Sequence, residues 1–250
     1  LYFQRHDGDA ATIEDWLQVF QDATGRDLTQ FKRWYSQAGT PRLNFTDDFR
    51  DGTYTAIFEQ KTQPTPGQPE KLPQLIPIAL GLLGPTGDEI GETRILEMTE
   101  ARQSFTFEGL DARPIPSILR GFSAPVILDR KTDAAEQAFL LAHDTDPFNK
   151  WEAGRALSRN TRIALAADGT TPDPGFLDGL SAVAGDTSLD PAFRALVLRL
   201  PSEDDIAQGL FDAGHCPDPL AIHHATKTLR QTIAAHLKPS LVGLLSAARV

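Results

Sequence analysis

The hydrophobic pattern changes its period twice along the 250 residues, and each change predicts a different kind of structure. Apolar residues first recur every three or four positions, then alternate from Leu43, and return to the helical spacing after Asp129. A period of 3.6 is typical of an amphipathic helix, whereas alternation is typical of a strand with one buried face. We therefore predict a helical segment over 1–42, an antiparallel β-sandwich over 43–130 and an α-helical domain over 131–250.

The first segment contains two predicted helices. Thr12 and Asp15 have the spacing of a capping box, and Gly25 is a typical helix end. A second helix is predicted inside DLTQFKRWYSQAGTP, from Asp27 to Pro41, with Asp27 as its cap. Each helix carries an apolar stripe that we expect to be buried. The stripes are Ile13, Trp16, Leu17 and Phe20 in the first helix, and Phe31, Trp34 and Tyr35 in the second.

Short β-rich runs separated by turn residues follow. Asp51-Gly52 is a hairpin signal, and five prolines and glycines between Pro64 and Pro73 predict an irregular surface loop. Six or seven short strands at this spacing predict an antiparallel sandwich. Beyond the hairpin, the predicted strands are Ile76–Leu83, Ile95–Met98, Ser104–Leu110 and Ile118–Leu128.

Helix signals return in series after residue 131. Asp133 and Asp146-Pro147 each predict a helix start, because Asp caps free amides and Pro suits the first helical position. Shorter helices are predicted at 174–184, 190–199 and 203–212, and a long one from Pro219. Lys238-Pro239 interrupts the last, so a kink or a restart is expected there.

Four stretches of the sequence are distinctive: LYFQRHDG (1–8), DLTQFKRWYSQAGTP (27–41), PIPSILRGFSAPVIL (114–128) and DPFNKWEAG (146–154). Together and in this order they resemble the bacterial aminopeptidase N family of zinc-dependent alanyl aminopeptidases. The resemblance implies that 1–42 is the helical end of a thermolysin-like catalytic domain. It also implies that 43–130 is an Ig-like sandwich and 131–250 the first part of a helical array, an α-solenoid of ARM or HEAT type. We expect the chain to be a multidomain fragment whose helical domain is incomplete.

The catalytic motif of that family is not in this sequence. The family holds zinc with His-Glu-x-x-His on a helix and a distant Glu, and none of the six histidines lies in such a motif. We therefore expect no catalytic, substrate-binding or metal-binding residue in this chain. The resemblance implies zinc and peptide substrates for a parent enzyme only, with this chain as an inactive scaffold and chamber wall. The alternative is an independent protein-interaction module built of a sandwich and helical repeats.

The best rival site is His215-Cys216 together with His223-His224. Thiolate and imidazole are zinc ligands, but this spacing does not reproduce the paired ligands of closed zinc sites. Helix-end or surface histidines are the simpler interpretation. The same applies to the hydroxyls of Ser117, Ser123 and Thr106, which we predict in strands and turns. Acidic groups at Asp47-Asp48, Asp88-Glu89 and Glu203-Asp204-Asp205 are predicted at turns or helix starts.

Composition limits the partners. A formal net charge of −10 and a pI near 5.0 argue against nucleic acid, which requires clustered Lys and Arg. A single cysteine, Cys216, favours a reducing compartment, so a cytoplasmic location is expected, and no apolar run is long enough to cross a membrane. Leu241, Leu244 and Leu245 form an apolar stripe near the end of the chain. We expect that stripe to be uncovered and to drive self-association.

Overall fold

The computed structural model describes residues 1–247 and divides into two compact units, which are described in turn. The first unit comprises Leu1–Ile78, Ile95–Asp111 and Ser123–Arg130, and the second Ala79–Arg94, Ala112–Phe122 and the chain from Lys131. The helices are α1 (Tyr2–His6), α2 (Ile13–Thr24), α3 (Arg33–Ser36), α4 (Ala134–His143), α5 (Pro147–Asp168), α6 (Pro174–Gly185), α7 (Pro191–Val197), α8 (Glu203–Asp212) and α9 (Pro219–Ala247). The strands are β1 (Arg42–Arg50), β2 (Thr53–Lys61), β3 (Ile76–Leu83), β4 (Arg94–Met98), β5 (Arg102–Phe107), β6 (Ile115–Ile118) and β7 (Ile127–Asp129).

Helix α2 begins and ends where the sequence predicts. The Thr12 hydroxyl and the Asp15 carboxylate exchange hydrogen bonds with each other's backbone amides, which is a complete capping box, and Gly25 ends the helix in the left-handed conformation at φ 71°. Its predicted apolar stripe is only partly buried. Leu17 is buried, whereas Ile13, Trp16 and Phe20 are exposed.

The prediction of a buried aromatic helix between Asp27 and Pro41 is wrong in two respects. Only α3, four residues long, is α-helical, because Asp27 caps the amide of Thr29 in a tight turn and Gln30 donates to the carbonyls of Pro73 and Thr99. The rings are also not fully buried: Trp34 is half-buried and donates to the Leu75 carbonyl at 2.7 Å, and Tyr35 is exposed.

A four-stranded sheet in the order β5-β2-β1-β7 forms most of the first unit. β1 and β2 pair antiparallel from Arg42↔Lys61 to Arg50↔Thr53, and the predicted Asp51-Gly52 turn joins them with φ of 50° and 74°. Two positive φ angles are typical of the type I′ hairpin turn. Alternate residues on this sheet are buried, and the Phe45 and Phe58 rings lie 5.1 Å apart.

The remaining strands form a three-stranded sheet in the order β4-β3-β6, and the predicted bounds of β3 are confirmed. The single strand predicted over Ile118–Leu128 is wrong. β6 ends at Ile118, a 3₁₀ turn occupies Arg120–Phe122, and β7 begins only at Ile127. The left-handed backbone of this turn cannot continue a strand, so one run of apolar residues becomes two strands of different sheets.

Helices α4 to α9 form most of the second unit. Asp133, Asp146, Asp173, Asp190 and Ser202 cap α4 to α8 through their side chains, as the sequence predicts for the first two. α5 is central, since α4, α6, α7, α8 and α9 all contact it. The hydrophobic core of the second unit consists largely of side chains from these helices, including Leu141, Leu157, Phe176, Leu180 and Leu229.

The last helix, α9, is continuous over 29 residues and contains Pro239 in its interior. The predicted restart at that proline is therefore wrong. Leu229 and Leu237 are buried, whereas Leu241 and Leu245 are exposed. None of the helices within residues 1–247 is long and apolar enough to cross a membrane.

Candidate functional site

The histidines and the cysteine that formed the best rival metal site do not converge. Cys216 is a free, exposed thiol, and His223 Nδ1 lies 3.7 Å from the Glu203 carboxylate on the protein surface. His223 and His224 stand with ring centroids 6.2 Å apart. In the part of the chain that the structure describes, no three His, Cys, Asp or Glu side chains are placed to hold a metal ion. These residues do not fit a zinc centre.

The hydroxyls considered for nucleophilic chemistry lie in β-structure or its turns. Thr106 lies in β5, and Ser123 follows the 3₁₀ turn. Ser117 lies in β6, is buried, and accepts hydrogen bonds from Arg120 Nε at 2.8 Å and Asn149 Nδ2 at 2.7 Å. Its own hydroxyl proton is donated to the Asp144 carboxylate, which is itself paired with Arg120. Ser117 serves instead to bind Arg120.

Arg120 is the centre of a buried ionic cluster that joins β6 to the start of α5. Only 8% of its side chain is exposed, and its guanidinium contacts two carboxylates, Glu89 at 2.8 Å and Asp144 at 3.2 Å. It also donates to the Thr93 hydroxyl at 2.9 Å. Asp144 is fully buried. Burial of a guanidinium is tolerated because every face of it has a partner, and removing one partner of such a pair costs about 3–5 kcal/mol.

Further hydrogen bonds connect the turn after β6 to the residues around the Arg120 cluster. Asp146 caps α5 and at the same time accepts from the Gly121 amide at 2.9 Å. Asn149, in the first turn of α5, donates to the Ile118 carbonyl at 3.0 Å. Glu89 also accepts from the Thr145 hydroxyl. The turn after β6 is therefore fixed to the α4–α5 connection by backbone and side-chain hydrogen bonds as well as by the ion pairs.

Several acidic residues that were predicted to lie in turns or at helix starts have other positions or contacts in the structure. Glu89 belongs to the Arg120 cluster, which corrects its interpretation as a turn residue only. Asp47 and Asp48 lie inside β1 and not in a turn. Asp205 caps the start of α8 together with Ser202, as expected of an acidic residue at a helix N-terminus.

Burial shifts the pKa values of Asp144 and Lys150 in opposite directions. Burial raises the pKa of Asp144 above the usual aspartate value, although hydrogen bonds from Ser117 and the Asp146 amide and the charge of Arg120 oppose the shift. Burial lowers the pKa of Lys150, and the carboxylates of Asp144 and Asp186 oppose that change. Lys150 Nζ donates to the carbonyls of Leu141 and Ala142 at 3.2 and 2.9 Å, so this cation caps the C-terminus of α4.

The turn that carries Arg120 has strained backbone. Leu119 and Phe122 have φ of 60° and 55°, in the left-handed region that costs a non-glycine residue about 1 kcal/mol or more. Gly121, at φ 61°, adopts the same region without that cost. Leu119 is buried, whereas Phe122 is exposed and its ring lies 5.4 Å from that of Phe148. The Arg120 cluster thus holds a strained turn that presents an aromatic ring to solvent.

A third buried cation, Arg162, lies between the helices. Arg162, on α5, is fully buried and donates to the Pro201 carbonyl and the Thr226 hydroxyl. Burial lowers its pKa from the usual arginine value. No salt bridge to it is found within residues 1–247, so carbonyl and hydroxyl dipoles solvate the charge. Arg162 therefore ties α5 to the segment before α8 and to α9.

Reasoning from the sequence missed Arg120, Lys150 and Arg162 as buried cations. One signal was available for α5, because Lys150, Leu157 and Arg162 fall on the same helical stripe as the buried Ala153 and Ser158. A cation on the buried face of a helix requires a polar partner, so this pattern predicts a buried polar contact for Lys150 and Arg162. For Arg120 the only local signal was a glycine directly after a charged residue at a strand end.

Two family models match successive parts of the chain. Residues 39–131 match a family described as "Domain of unknown function (DUF3458) Ig-like fold", and residues 134–250 match "Domain of unknown function (DUF3458_C) ARM repeats". The predicted fold class, an Ig-like sandwich followed by a helical array of ARM type, is confirmed.

Curated relatives match nearly the whole chain. It is 37% identical to aminopeptidase N of Escherichia coli over 99% of its residues, and 43% identical to aminopeptidase N of Caulobacter vibrioides over 95%. The chain spans 30% and 28% of the length of these relatives.

A solved structure gives the same result. Legionella pneumophila aminopeptidase A, crystallised with aspartic acid, superposes on all of this chain with a TM-score of 0.82 at 28% identity, over 28% of its own length. The chain is therefore homologous, over almost all of its residues, to a segment of the aminopeptidase N family.

Proposed function

We propose that this chain is the non-catalytic structural portion of a zinc-dependent aminopeptidase that removes N-terminal residues from peptides. The observation that carries the proposal is its match to less than a third of each aminopeptidase N relative, in a sequence without His-Glu-x-x-His. The zinc, the peptide substrate and the general base belong, on this proposal, to the rest of the parent protein. The free, exposed thiol of Cys216 fits a reducing, cytoplasmic environment.

The role of the chain in the parent is to support the catalytic domain and to form part of a chamber wall. We assign residues 1–42 to the end of the catalytic domain, 43–130 to the sandwich and 131–250 to the helical domain. The exposed apolar face of α2 supports the first assignment. Trp16 and Phe20 lie one turn apart with ring centroids 4.5 Å apart, and both are more than a third exposed. Solvent-facing aromatic pairs of this kind are typical of contact surfaces.

The experiment uses the full-length protein that contains this chain. A Trp16→Asp plus Phe20→Asp variant should lower its aminopeptidase activity and its unfolding temperature, because burying each ring contributes about 2 kcal/mol. The same two changes should lower the unfolding temperature of the isolated 250-residue chain by less, because Trp16 and Phe20 are already 37% and 43% exposed there and lose only the remaining part of their burial.

Leu72→Asp is the matched control, because Leu72 is exposed in the loop between β2 and β3. It should leave both proteins unchanged. Full activity and unchanged stability of the full-length Trp16/Phe20 variant would contradict the placement of α2 in the catalytic domain.

The C-terminal half of α9 supports a further property of the isolated chain, which is self-association. Leu241, Val242 and Leu245 are exposed along this helix. Light scattering over a concentration series should show growth in mass for the parent chain and none for Leu241→Asp plus Leu245→Asp. A parent chain that stays monomeric throughout would refute the proposal.

A further inference from the structure

The Arg120 cluster joins a strained turn to two helices through a small number of titratable contacts. The turn Leu119–Phe122 has three residues in the left-handed region, including buried Leu119. Backbone of this kind persists only where surrounding contacts hold it. Here those contacts are the ion pairs of Arg120 with Asp144 and Glu89, its hydrogen bonds to the Ser117 and Thr93 hydroxyls, and the bond of the Gly121 amide to Asp146.

We propose that Arg120 and Asp144 form an acid-released latch: protonation of Asp144 frees the turn Leu119–Phe122 from the start of α5 while the helices stay folded. The proposal does not rest on the proposed function. Its consequence is a change at Phe122, the exposed ring that the turn holds against Phe148.

The charged groups facing Asp144 determine what protonation does. Arg120, in the turn, lies 3.2 Å from the Asp144 carboxylate. Lys150 in α5 and Asp146 at the N-terminus of α5 also interact electrostatically with Asp144. Glu89 shares Arg120 with Asp144, accepts from the Thr145 hydroxyl and is 30% exposed. When Asp144 becomes neutral, Arg120 keeps a single, partly solvated carboxylate partner. The attraction that holds the turn is therefore weakened from the buried side.

The sign of the effect separates this latch from acid unfolding. Burial raises the pKa of Asp144 in the folded chain, so the folded state binds the proton more readily than the unfolded state does. Protonation of this group therefore does not favour unfolding. The release should occur within the folded protein and at a less acidic pH than an ordinary aspartate would require.

The test is a series of two-dimensional ¹⁵N NMR spectra of the 250-residue chain between about pH 7.5 and about pH 4. The amide signals of residues 119–122 should shift together, with a midpoint above the usual aspartate value of 3.8, while far-UV circular dichroism is unchanged. Signals that do not move, or that move only when the chain unfolds, would overturn the proposal.

Two variants assign the titrating group. Asp144→Asn should place the turn signals at pH 7.5 where the parent chain has them in acid, and should remove their titration. Asp146→Asn should keep the titration, with its midpoint moved to lower pH, because the charge of Asp146 raises the pKa of Asp144 but is not the group that titrates. Titration that survives in Asp144→Asn, or that disappears in Asp146→Asn, would refute the latch. Should Asp144→Asn not fold, the parent chain and Asp146→Asn still decide.

Discussion

The guanidinium of Arg120 lies directly against the backbone of Gly81, so that a β-carbon at position 81 would stand 2.1 Å from Arg120 Cζ. Gly81 lies in β3, where φ is not in the left-handed region, so space and not backbone conformation requires the glycine here. The Arg120 guanidinium therefore occupies the space that a side chain at position 81 of β3 would need.

Gly81→Ala should therefore destabilise the chain by about 3 kcal/mol or more, because it displaces a buried ion pair. Urea unfolding at neutral pH measures the change. Gly243→Ala is the matched control, since nothing lies within 4 Å of a β-carbon there and alanine favours the α9 helix. Equal stability of the two variants would mean that Arg120 moves aside without cost.

Thr226→Val should cost about 1–3 kcal/mol, because it leaves a buried donor of Arg162 without its acceptor. The two side chains have nearly the same volume, so the loss reports the hydrogen bond and not a cavity. Thr228→Val, two residues on and exposed, should change the free energy of unfolding by less than about 0.5 kcal/mol. If both variants unfold at the same denaturant concentration, Arg162 gains nothing from Thr226.

Lys150→Met should destabilise the chain by about 1–2 kcal/mol at neutral pH, because two carbonyls at the end of α4 lose their donor. Its pH dependence has a defined sign. The pKa of Lys150 is lowered by burial, so the cost of its charge is fully present below the folded pKa and is relieved as pH rises toward 10.5.

The difference in the free energy of unfolding between the unsubstituted chain and Lys150→Met should therefore increase, in favour of the unsubstituted chain, as pH rises into the alkaline range. Urea titrations of both proteins at several pH values measure the difference. A constant gap across that range would show that burial does not disfavour the charged form of Lys150.

Gln68→Ala should make the proline-rich loop easier to cleave. Gln68 exchanges hydrogen bonds with the backbone at Ser36 and Ala38, and its side-chain oxygen also accepts from Lys71 at 2.7 Å. Losing these bonds should raise the rate of trypsin cleavage at Lys71 by about fivefold to tenfold, equivalent to roughly 1 kcal/mol of local stability. Gln63→Ala is the control, because Gln63 is exposed in the same loop. Cleavage at equal rates in both variants would argue that the prolines alone order the loop.

Local patterns predicted the parts of the fold whose causes are local. The Thr12 cap, the Asp51-Gly52 hairpin, the bounds of β3 and the helix over Glu203–Asp212 depend on residues within a few positions of each other. A capping box or a type I′ turn needs no distant partner, so the sequence suffices to predict it.

The features that sequence reasoning missed depend on distant contacts. The helix expected after Asp27 gives way to turns in part because Gln30 and Trp34 find carbonyl acceptors about forty residues or more along the chain. The burial of Arg120 depends on Asp144 and Glu89, which no spacing rule connects to it. Polar side chains with remote partners have no periodic signature, so a periodicity analysis treats them as surface residues.

The most direct test of the account is the zinc content and aminopeptidase activity of the purified 250-residue chain. After dialysis against zinc-containing and then zinc-free buffer, the chain should retain far less than one zinc per molecule and should not hydrolyse an alanyl-arylamide substrate. The His-Glu-x-x-His ligands and general base are not in its sequence, which is the physical reason for both results. About one retained zinc per chain, together with turnover that a chelator abolishes, would contradict the assignment of this segment as non-catalytic.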